Sequence, residues 1–100
     1  MIKGKTESGF EFQIPEGLGK DVMFLRAVRD FYKAEKTNDQ EKLLDCALDL
    51  PVLVVGSSEE EERLYKHIKA IHGTVPIDVL FRELTQMIEA ASAEERAVKN

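Results

Sequence analysis

Two histidines, one cysteine and a run of four glutamates are the side chains of this sequence best suited to chemistry. His67 and His72 lie five residues apart on a predicted helix, so they point roughly 140° apart and cannot easily share a metal ion. Glu59 to Glu62 fall in the first turn of that helix, where negative charge favours the helix dipole, which indicates capping charge and not a cation site. Cys46 lies inside an apolar helical pattern and is predicted to be a core thiol.

No motif for catalysis accompanies these residues. The sequence has no glycine-rich phosphate loop, no nucleophile elbow and no Cys/His arrangement, so we expect no catalytic residue, no metal and no cofactor, and predict that the protein is not an enzyme. A net charge of -5 without a local basic cluster argues against nucleic acid as a partner. No apolar run approaches about 18 residues, and no apolar signal region follows Met1, so we expect a cytoplasmic protein without a membrane partner.

The clearest structural pattern is a pair of helices joined by Gly73–Pro76. Ser57 or Ser58 can cap a helix over 58–72, and Gly73 is the expected left-handed residue that ends it. Pro76 suits the first turn of a second helix, predicted over 76–91. Apolar residues recur at helical spacing in both, which predicts an αα-hairpin.

Residues 2–14 predict a β-hairpin. A three-residue loop with Gly9 in the left-handed region sets Gly4 opposite Phe12 and gives the hairpin one apolar face. A two-residue turn would mix polar and apolar faces, so the three-residue loop is favoured. Because an isolated hairpin is only marginally stable, the apolar face must pack on the chain's own helices, the favoured alternative, or on a second subunit.

Two further helices are predicted between the hairpin and the helix pair. Asp21 can cap a helix over 21–36, and a second helix follows over 39–50. Its predicted buried face consists of leucines and alanine at helical spacing: Leu43, Leu44, Ala47 and Leu48. Pro51 predicts a break or a kink, and residues 52–55 are predicted to form a short helix or, as the alternative, a short buried strand.

The fold class expected from these patterns is mainly α (α+β), with an N-terminal β-hairpin followed by about four helices. A single globular domain over 1–92 is predicted, with a flexible C-terminal tail over 93–100. The run after Pro51 is apolar on every side, which makes it the best candidate for self-association or partner binding. The predicted partner-binding residues are apolar and come from the hairpin and this run: Phe10, Phe12, Val52, Leu53 and Val55.

Two stretches resemble the small tail assembly chaperones of long-tailed (siphovirus-type) bacteriophages and prophages. The first is Glu7-Ser8-Gly9-Phe10-Glu11-Phe12-Gln13-Ile14-Pro15, and the second runs from Arg63-Leu64-Tyr65-Lys66-His67-Ile68 through Gly73-Thr74-Val75-Pro76-Ile77 to Glu83-Leu84. The Ser-Gly-Phe turn and the Gly-x-Val-Pro-Ile joint carry the resemblance most specifically. The region from Asp39 to Ser58 departs from the family pattern.

The resemblance implies a non-enzymatic chaperone that binds the phage tape measure protein and keeps its apolar helices soluble. It further implies that tail tube protein later replaces the chaperone, which acts in the host cytoplasm and is absent from the mature virion. The alternative is a small helix-turn-helix regulator of phage or prophage origin, because residues 64–88 outline two helices around a short turn. Against that alternative, the second helix carries Asp78, Glu83 and Glu89 with only Arg82 positive.

Overall fold

The structure is a computed structural model that describes the backbone of residues 1–99 and the side chains of residues 1–93. An N-terminal hairpin is followed by a 3₁₀ turn and four helices, which confirms the predicted fold class. In chain order the elements are β1 (Ile2–Lys5), β2 (Glu11–Ile14), the 3₁₀ turn (Leu18–Lys20), α1 (Val22–Thr37), α2 (Gln40–Val55), α3 (Ser58–His72) and α4 (Ile77–Lys99).

The hairpin has the predicted register. Gly4 pairs with Phe12 and Lys5 with Glu11, and Gly9 occupies the left-handed region with φ 98°. The loop closes through two backbone hydrogen bonds, from Thr6 N to Phe10 O at 2.9 Å and from Gly9 N to Thr6 O at 3.0 Å. Both strands contact α4, and β2 also contacts α2. The chain's own helices therefore cover the apolar face of the hairpin, as the favoured alternative predicted.

Gly4 is required by the ring that packs on it. A Cβ atom at Gly4 would lie 2.5 Å from the Cζ atom of Phe12, which is closer than two carbon atoms can approach. The absence of a side chain on one strand thus makes room for an aromatic ring from the other. The ring of Phe12 is buried as a result.

Two helices begin at the N-cap side chains that the sequence predicts, and a third helix has an N-cap of the same kind. The side chain of Asp21 accepts a hydrogen bond from Phe24 N at 3.0 Å, and Ser57 Oγ accepts one from Glu60 N at 3.2 Å. Asp39 caps α2 in the same way. Each of these bonds satisfies a backbone donor at a helix start that has no partner within the helix.

The predicted break at Pro51 is wrong, because α2 is continuous from Gln40 to Val55 with Pro51 inside it. Proline removes one backbone hydrogen bond from a helix. Here Leu50, Pro51, Val54 and Val55 are all buried, so tertiary packing compensates for that bond. Of the two alternatives for residues 52–55, the structure has the helix.

The last two helices also differ from their predictions. α4 continues past the predicted end near Ala91, because the following residues are mostly good helix formers without Gly or Pro. Among the described residues, the backbone of α3 packs more extensively on α2 than on α4, so the two helices do not form a closely packed αα-hairpin. The predicted tail over 93–100 falls mostly on residues 94–100, whose side chains lie outside the described residues.

The core lies where α2 meets the hairpin, α3 and α4. Its largest fully buried side chains come from the hairpin loop, β2 and the four helices: Phe10, Ile14, Phe24, Phe31, Leu50, Val54, Leu64, Ile68, Leu84, Met87 and Ile88. Phe31 of α1 and Phe81 of α4 pack with ring centroids 4.8 Å apart. The buried apolar residues thus form one hydrophobic cluster.

Candidate functional site

A polar cluster joins the hairpin loop to α3 and α4. It consists of Thr6, Ser8, His67 and Glu83, and is called the polar clasp below. Glu83 Oε1 accepts hydrogen bonds from Thr6 Oγ1 at 2.7 Å and from Ser8 Oγ at 2.8 Å. Ser8 Oγ also lies 2.9 Å from His67 Nε2. Glu83 is only 2% exposed and Thr6 is buried, so the bond between Thr6 and Glu83 is sheltered from water, whereas Ser8 and its bond to His67 are exposed.

The sequence positions these groups through the tight loop of the hairpin. Thr6 Oγ1 accepts a hydrogen bond from Phe10 N at 3.1 Å, which fixes the hydroxyl at the entrance of the loop. Gln86, one turn after Glu83 on α4, accepts a hydrogen bond from Glu7 N at 2.7 Å. One face of α4 therefore provides two acceptors for the loop between β1 and β2.

A serine, a histidine and a carboxylate are also the residue types of a nucleophilic triad. In a triad the carboxylate orients the histidine, and the histidine accepts the serine proton. Here Glu83 bonds to the serine hydroxyl itself. The N–H groups of Gly9 and Phe10, which follow Ser8 in the loop, already bond to Thr6. The geometry of the polar clasp thus favours anchoring of the loop over activation of Ser8.

Aromatic and cationic contacts extend the polar clasp at Phe10. The ring centroids of Phe10 and His67 are 5.5 Å apart, and the Arg63 guanidinium carbon lies 4.3 Å from the Phe10 centroid. Arg63 also donates to the backbone oxygen of Glu11 and to Glu60 Oε2. Phe10 is therefore enclosed by α3 on its outer side and is buried.

The predicted partner-binding residues are distributed between core and surface. Phe10, Phe12 and Val55 are buried in the hydrophobic core, Val52 is half-buried and Leu53 is 36% exposed. Phe12 and Val55 line the same cleft of about 710 Å³ beside the hairpin. Phe10 is 2% exposed and would be reached by a partner only if the hairpin or α3 moved, and Phe12 and Val55 would be reached only through the cleft. Leu53 and part of Val52 are accessible as they stand.

The predicted buried face of α2 is only partly buried. Leu43 and Ala47 are half-buried, but Leu44 is 56% exposed and Leu48 is 68% exposed. Leu44, Leu48 and Val52 are spaced four residues apart on one side of the helix, and this set is called the leucine face below. Toward the end of α2 the leucine face continues to Val55, which is buried in the core, so only this end of the apolar side is covered.

Carboxylates border the leucine face. Glu41, Asp45 and Asp49 are all exposed and also recur every four residues, about 60° farther around α2; they are called the acidic row below. Asp45 and Asp49 also line a groove of about 250 Å³ between α1 and α2, together with Asp30 and Cys46. Lys42 is the one positive side chain among the residues that line this groove.

The carboxylates of the groove affect the pKa of the Cys46 thiol. Burial raises the pKa of its thiol, and the nearby carboxylates of Asp30, Asp45 and Asp49 raise it further, against a smaller lowering by Lys42. The lining of the groove thus has three carboxylates against one ammonium group, and its net charge is negative. Cys46 is half-buried, so the expectation of a core thiol holds only in part. Among the described residues, no group of three or more His, Cys, Asp or Glu side chains is arranged to hold a metal ion.

No pattern in the sequence identifies the polar clasp. Glu83 was predicted only as one of the acidic residues of the last helix, although it follows Leu80 at a spacing typical of the buried stripe. The separation of 77 residues between Thr6 and Glu83 leaves no local pattern that links them. The exposure of the leucine face was missed because periodicity identifies an apolar stripe and not how much of the stripe is covered.

Comparisons of the chain with protein-family models, with curated proteins and with solved structures found no match. Among the described residues, no helix is both long enough and apolar enough to cross a membrane.

Proposed function

We propose that this protein is a non-enzymatic phage tail assembly chaperone, which binds the tape measure protein and keeps it soluble during tail assembly. The single observation that supports this most is the leucine face, because Leu44 and Leu48 are more than half exposed on a helix whose other side lies in the core. Exposed apolar residues at helical spacing are suited to contact an apolar helix of another protein. The sequence resemblance in the hairpin and at the joint between α3 and α4 supports the same function.

Exposed apolar residues on α1 enlarge the surface available for such binding. Leu25 is 48% exposed and Tyr32 is 41% exposed, and their spacing places them on one side of α1. Several weak, reversible contacts spread along a long partner would hold that partner while allowing later replacement. Reversible binding is required if tail tube protein is to take the place of the chaperone. The displaced chaperone then remains in the host cytoplasm and is absent from the mature virion.

Self-association through Val52, Leu53 and Val55 remains part of the proposal. With Val55 buried, Leu53 and the exposed part of Val52 are the residues through which two copies would meet. Sedimentation of the wild type at tens of micromolar and of Leu53→Asp measures this. A wild-type monomer at about that concentration, the range of a weak interface, would remove self-association from the proposal.

Co-expression with the tape measure protein of the same phage or prophage tests the function. We expect the tape measure protein to be soluble with the wild type and to sediment with the double variant Leu44→Ser, Leu48→Ser. The variant Ile71→Ser is the matched control, because Ile71 is equally exposed but lies on α3. Phe10 and Phe12 are unsuited to this test, since substitution of a core residue would change folding together with binding.

Two results would contradict the proposal. One is a tape measure protein that is equally insoluble with the wild type and with empty vector. The other is a soluble tape measure protein that cannot be isolated in a complex with this chain. Circular dichroism of each variant shows whether it is folded and keeps the comparison interpretable.

The regulator alternative gains no support from the described residues. The exposed positions of α4 include Asp78, Arg82 and Glu89, so the helix that would enter the DNA groove has an excess of negative charge. Saturable, sequence-dependent binding of DNA from its own locus at about 150 mM salt would favour the regulator over the chaperone.

A further inference from the structure

The leucine face and the acidic row together form a surface with two chemical properties. Leu44 and Leu48 supply exposed apolar area, and Asp45 and Asp49 place negative charge along one border of it. From these properties we infer that this surface of α2 binds an amphipathic helix whose apolar stripe is bordered by Lys or Arg. The inference deepens the proposed function and rests on it, because it specifies the chemistry of the segment that the partner presents.

Charge complementarity supports this occupant. A helix laid along α2 with its apolar side on Leu44 and Leu48 would bring its flanking side chains beside Glu41, Asp45 and Asp49. Opposite charges at that border favour binding and steer encounter, whereas like charges oppose both. The groove between α1 and α2 extends the negative border, since Asp30 faces Asp45 and Asp49 across it.

The same charge pattern disfavours a second copy of this chain laid along Leu44 and Leu48, as distinct from self-association at Leu53 and the exposed edge of Val52. In an antiparallel two-fold pairing of α2 helices, equivalent flanks face each other, so the acidic row of one copy would lie against the acidic row of the other. Like charges placed directly opposite each other destabilise such a pair. A partner with positive flanks avoids this repulsion.

Cation coordination is not an alternative explanation of the carboxylates. Side chains in the acidic row are separated by one helical turn, about 6 Å along the axis, and point along the surface. The described residues contain no cluster arranged to bind a metal ion. The carboxylates therefore serve as a charged border that extends along the helix.

Three synthetic peptides of about 18 residues test the inference with the intact protein. The first is an amphipathic helix with leucines on one side and lysines on both flanks. The second has the same leucines with glutamates in place of the lysines. The third has the composition of the first in scrambled order, which removes the apolar stripe but keeps the charge. Affinities are measured by fluorescence anisotropy at about 150 mM salt, where distant charges are screened.

We expect the lysine peptide to bind at least about tenfold more tightly than the glutamate peptide and the scrambled peptide. The double variant Asp45→Lys, Asp49→Lys should reverse the preference in favour of the glutamate peptide. Glu35→Lys with Glu62→Lys is the matched control, since it changes net charge equally at exposed positions outside α2 and should keep the preference for lysine. Leu44→Ser with Leu48→Ser should reduce binding of the lysine peptide to that of the scrambled one.

Three outcomes would overturn the inference. They are equal binding of the lysine and glutamate peptides, a control variant that reverses preference as strongly as the α2 variant, and a wild-type dimer that Leu44→Ser with Leu48→Ser converts to a monomer. The last would assign the leucine face to a second copy. The peptide experiment does not use the tape measure protein, so its result is independent of the co-expression experiment. If the peptides bind with the expected charge preference but the tape measure protein stays insoluble, the chaperone function is rejected and the binding inference is retained.

Discussion

The hairpin end and the α2 surface use the same residue types in opposite ways. At the hairpin end, the carboxylate of Glu83 is buried and satisfies two hydroxyl groups, while the rings of Phe10 and Phe12 are covered. On α2, the carboxylates of the acidic row are exposed and the neighbouring leucines are uncovered. The hairpin end thus contributes to stability through internal contacts. The α2 surface retains apolar area that folding does not use, and such area is available for binding.

The largest expected difference lies between two leucines of α2. Leu50 is fully buried, so Leu50→Ala should lower the free energy of unfolding by about 2 to 5 kcal/mol through lost burial and the remaining cavity. Leu48→Ala, two residues earlier and mostly exposed, should change it by less than about 0.5 kcal/mol. Urea denaturation followed by circular dichroism measures both. Similar losses in the two variants would mean that Leu48 is covered in solution, which would contradict the leucine face.

The polar clasp gives the next largest effect. Glu83→Ala removes the acceptor of the buried Thr6 hydroxyl and of the exposed Ser8 hydroxyl, of which Ser8 still has His67 and water as partners, so we expect a loss of about 1.5 to 3 kcal/mol in the free energy of unfolding, mostly from Thr6. Glu83→Gln keeps an oxygen acceptor and should lose less. Glu89→Ala is the matched control, because Glu89 is an exposed glutamate on the same helix.

A double-mutant cycle separates the energy of the hydrogen bond between Thr6 and Glu83 from the general effect of substituting two buried residues. Thr6→Val combined with Glu83→Ala should destabilise the protein by less than the sum of the single variants, because both remove the same hydrogen bond. Strict additivity would show that Thr6 and Glu83 do not interact in solution. It would leave the anchoring of the hairpin loop unexplained.

The sequence predicted those features that depend on neighbours along the chain. The register of the hairpin follows from one loop glycine and the alternation of Phe10, Phe12 and Ile14, and the starts of α1 and α3 follow from Asp21 and Ser57. Each rests on residues within a few positions of one another. Such local rules are sufficient for elements and their boundaries in most of this chain.

Features set by tertiary contacts were not predictable in the same way. The helix continues through Pro51 because the residues around it are buried, and local preference at Pro51 indicates the opposite. Glu83 meets Thr6 only through the packing of α4 on the hairpin. The exposure of Leu44 and Leu48 depends on which side of α2 the other elements cover. Those are properties of packing between elements, and residue spacing within one element does not contain them.

Gly4 tests the close packing at the hairpin end. Gly4→Ala places a Cβ atom against the ring of Phe12, so we expect a loss of about 1 to 3 kcal/mol in the free energy of unfolding. Lys3→Ala, at an exposed position of the same strand, should have little effect. Combining Gly4→Ala with Phe12→Leu should recover part of the loss, because the smaller side chain relieves the clash. If Gly4→Ala is as stable as the wild type, Phe12 does not pack on Gly4.

Tyr65 gives a smaller effect that depends on pH. Burial raises its pKa to about 12, with a further contribution from the adjacent Glu61 carboxylate and the hydrogen bond between them. Since the folded value exceeds the unfolded value of about 10, this contribution to stability is complete below pH 10 and is lost as pH rises towards 12. Tyrosinate absorbance should show an ionisation near pH 12 that Tyr65→Phe removes. Ionisation of all tyrosine near pH 10 in folded protein would contradict the contact with Glu61.

The smallest expected effect concerns the reactivity of Cys46 and not stability, and it probes the charge of the α2 surface directly. Burial first, and then the carboxylates of Asp30, Asp45 and Asp49, raise the pKa of the thiol, so its reactive thiolate is scarce at pH 8. Asp45→Asn with Asp49→Asn removes two of those carboxylates and should speed reaction with a thiol reagent by about two- to fivefold. Glu35→Gln with Glu62→Gln changes net charge equally but lies outside α2, so it should leave the rate unchanged. If both pairs change the rate alike, the thiol responds to total charge and not to the acidic row. Acceleration by the α2 pair alone would place the carboxylates of Asp45 and Asp49 beside Cys46, in the groove between α1 and α2 that extends the negative border of the leucine face.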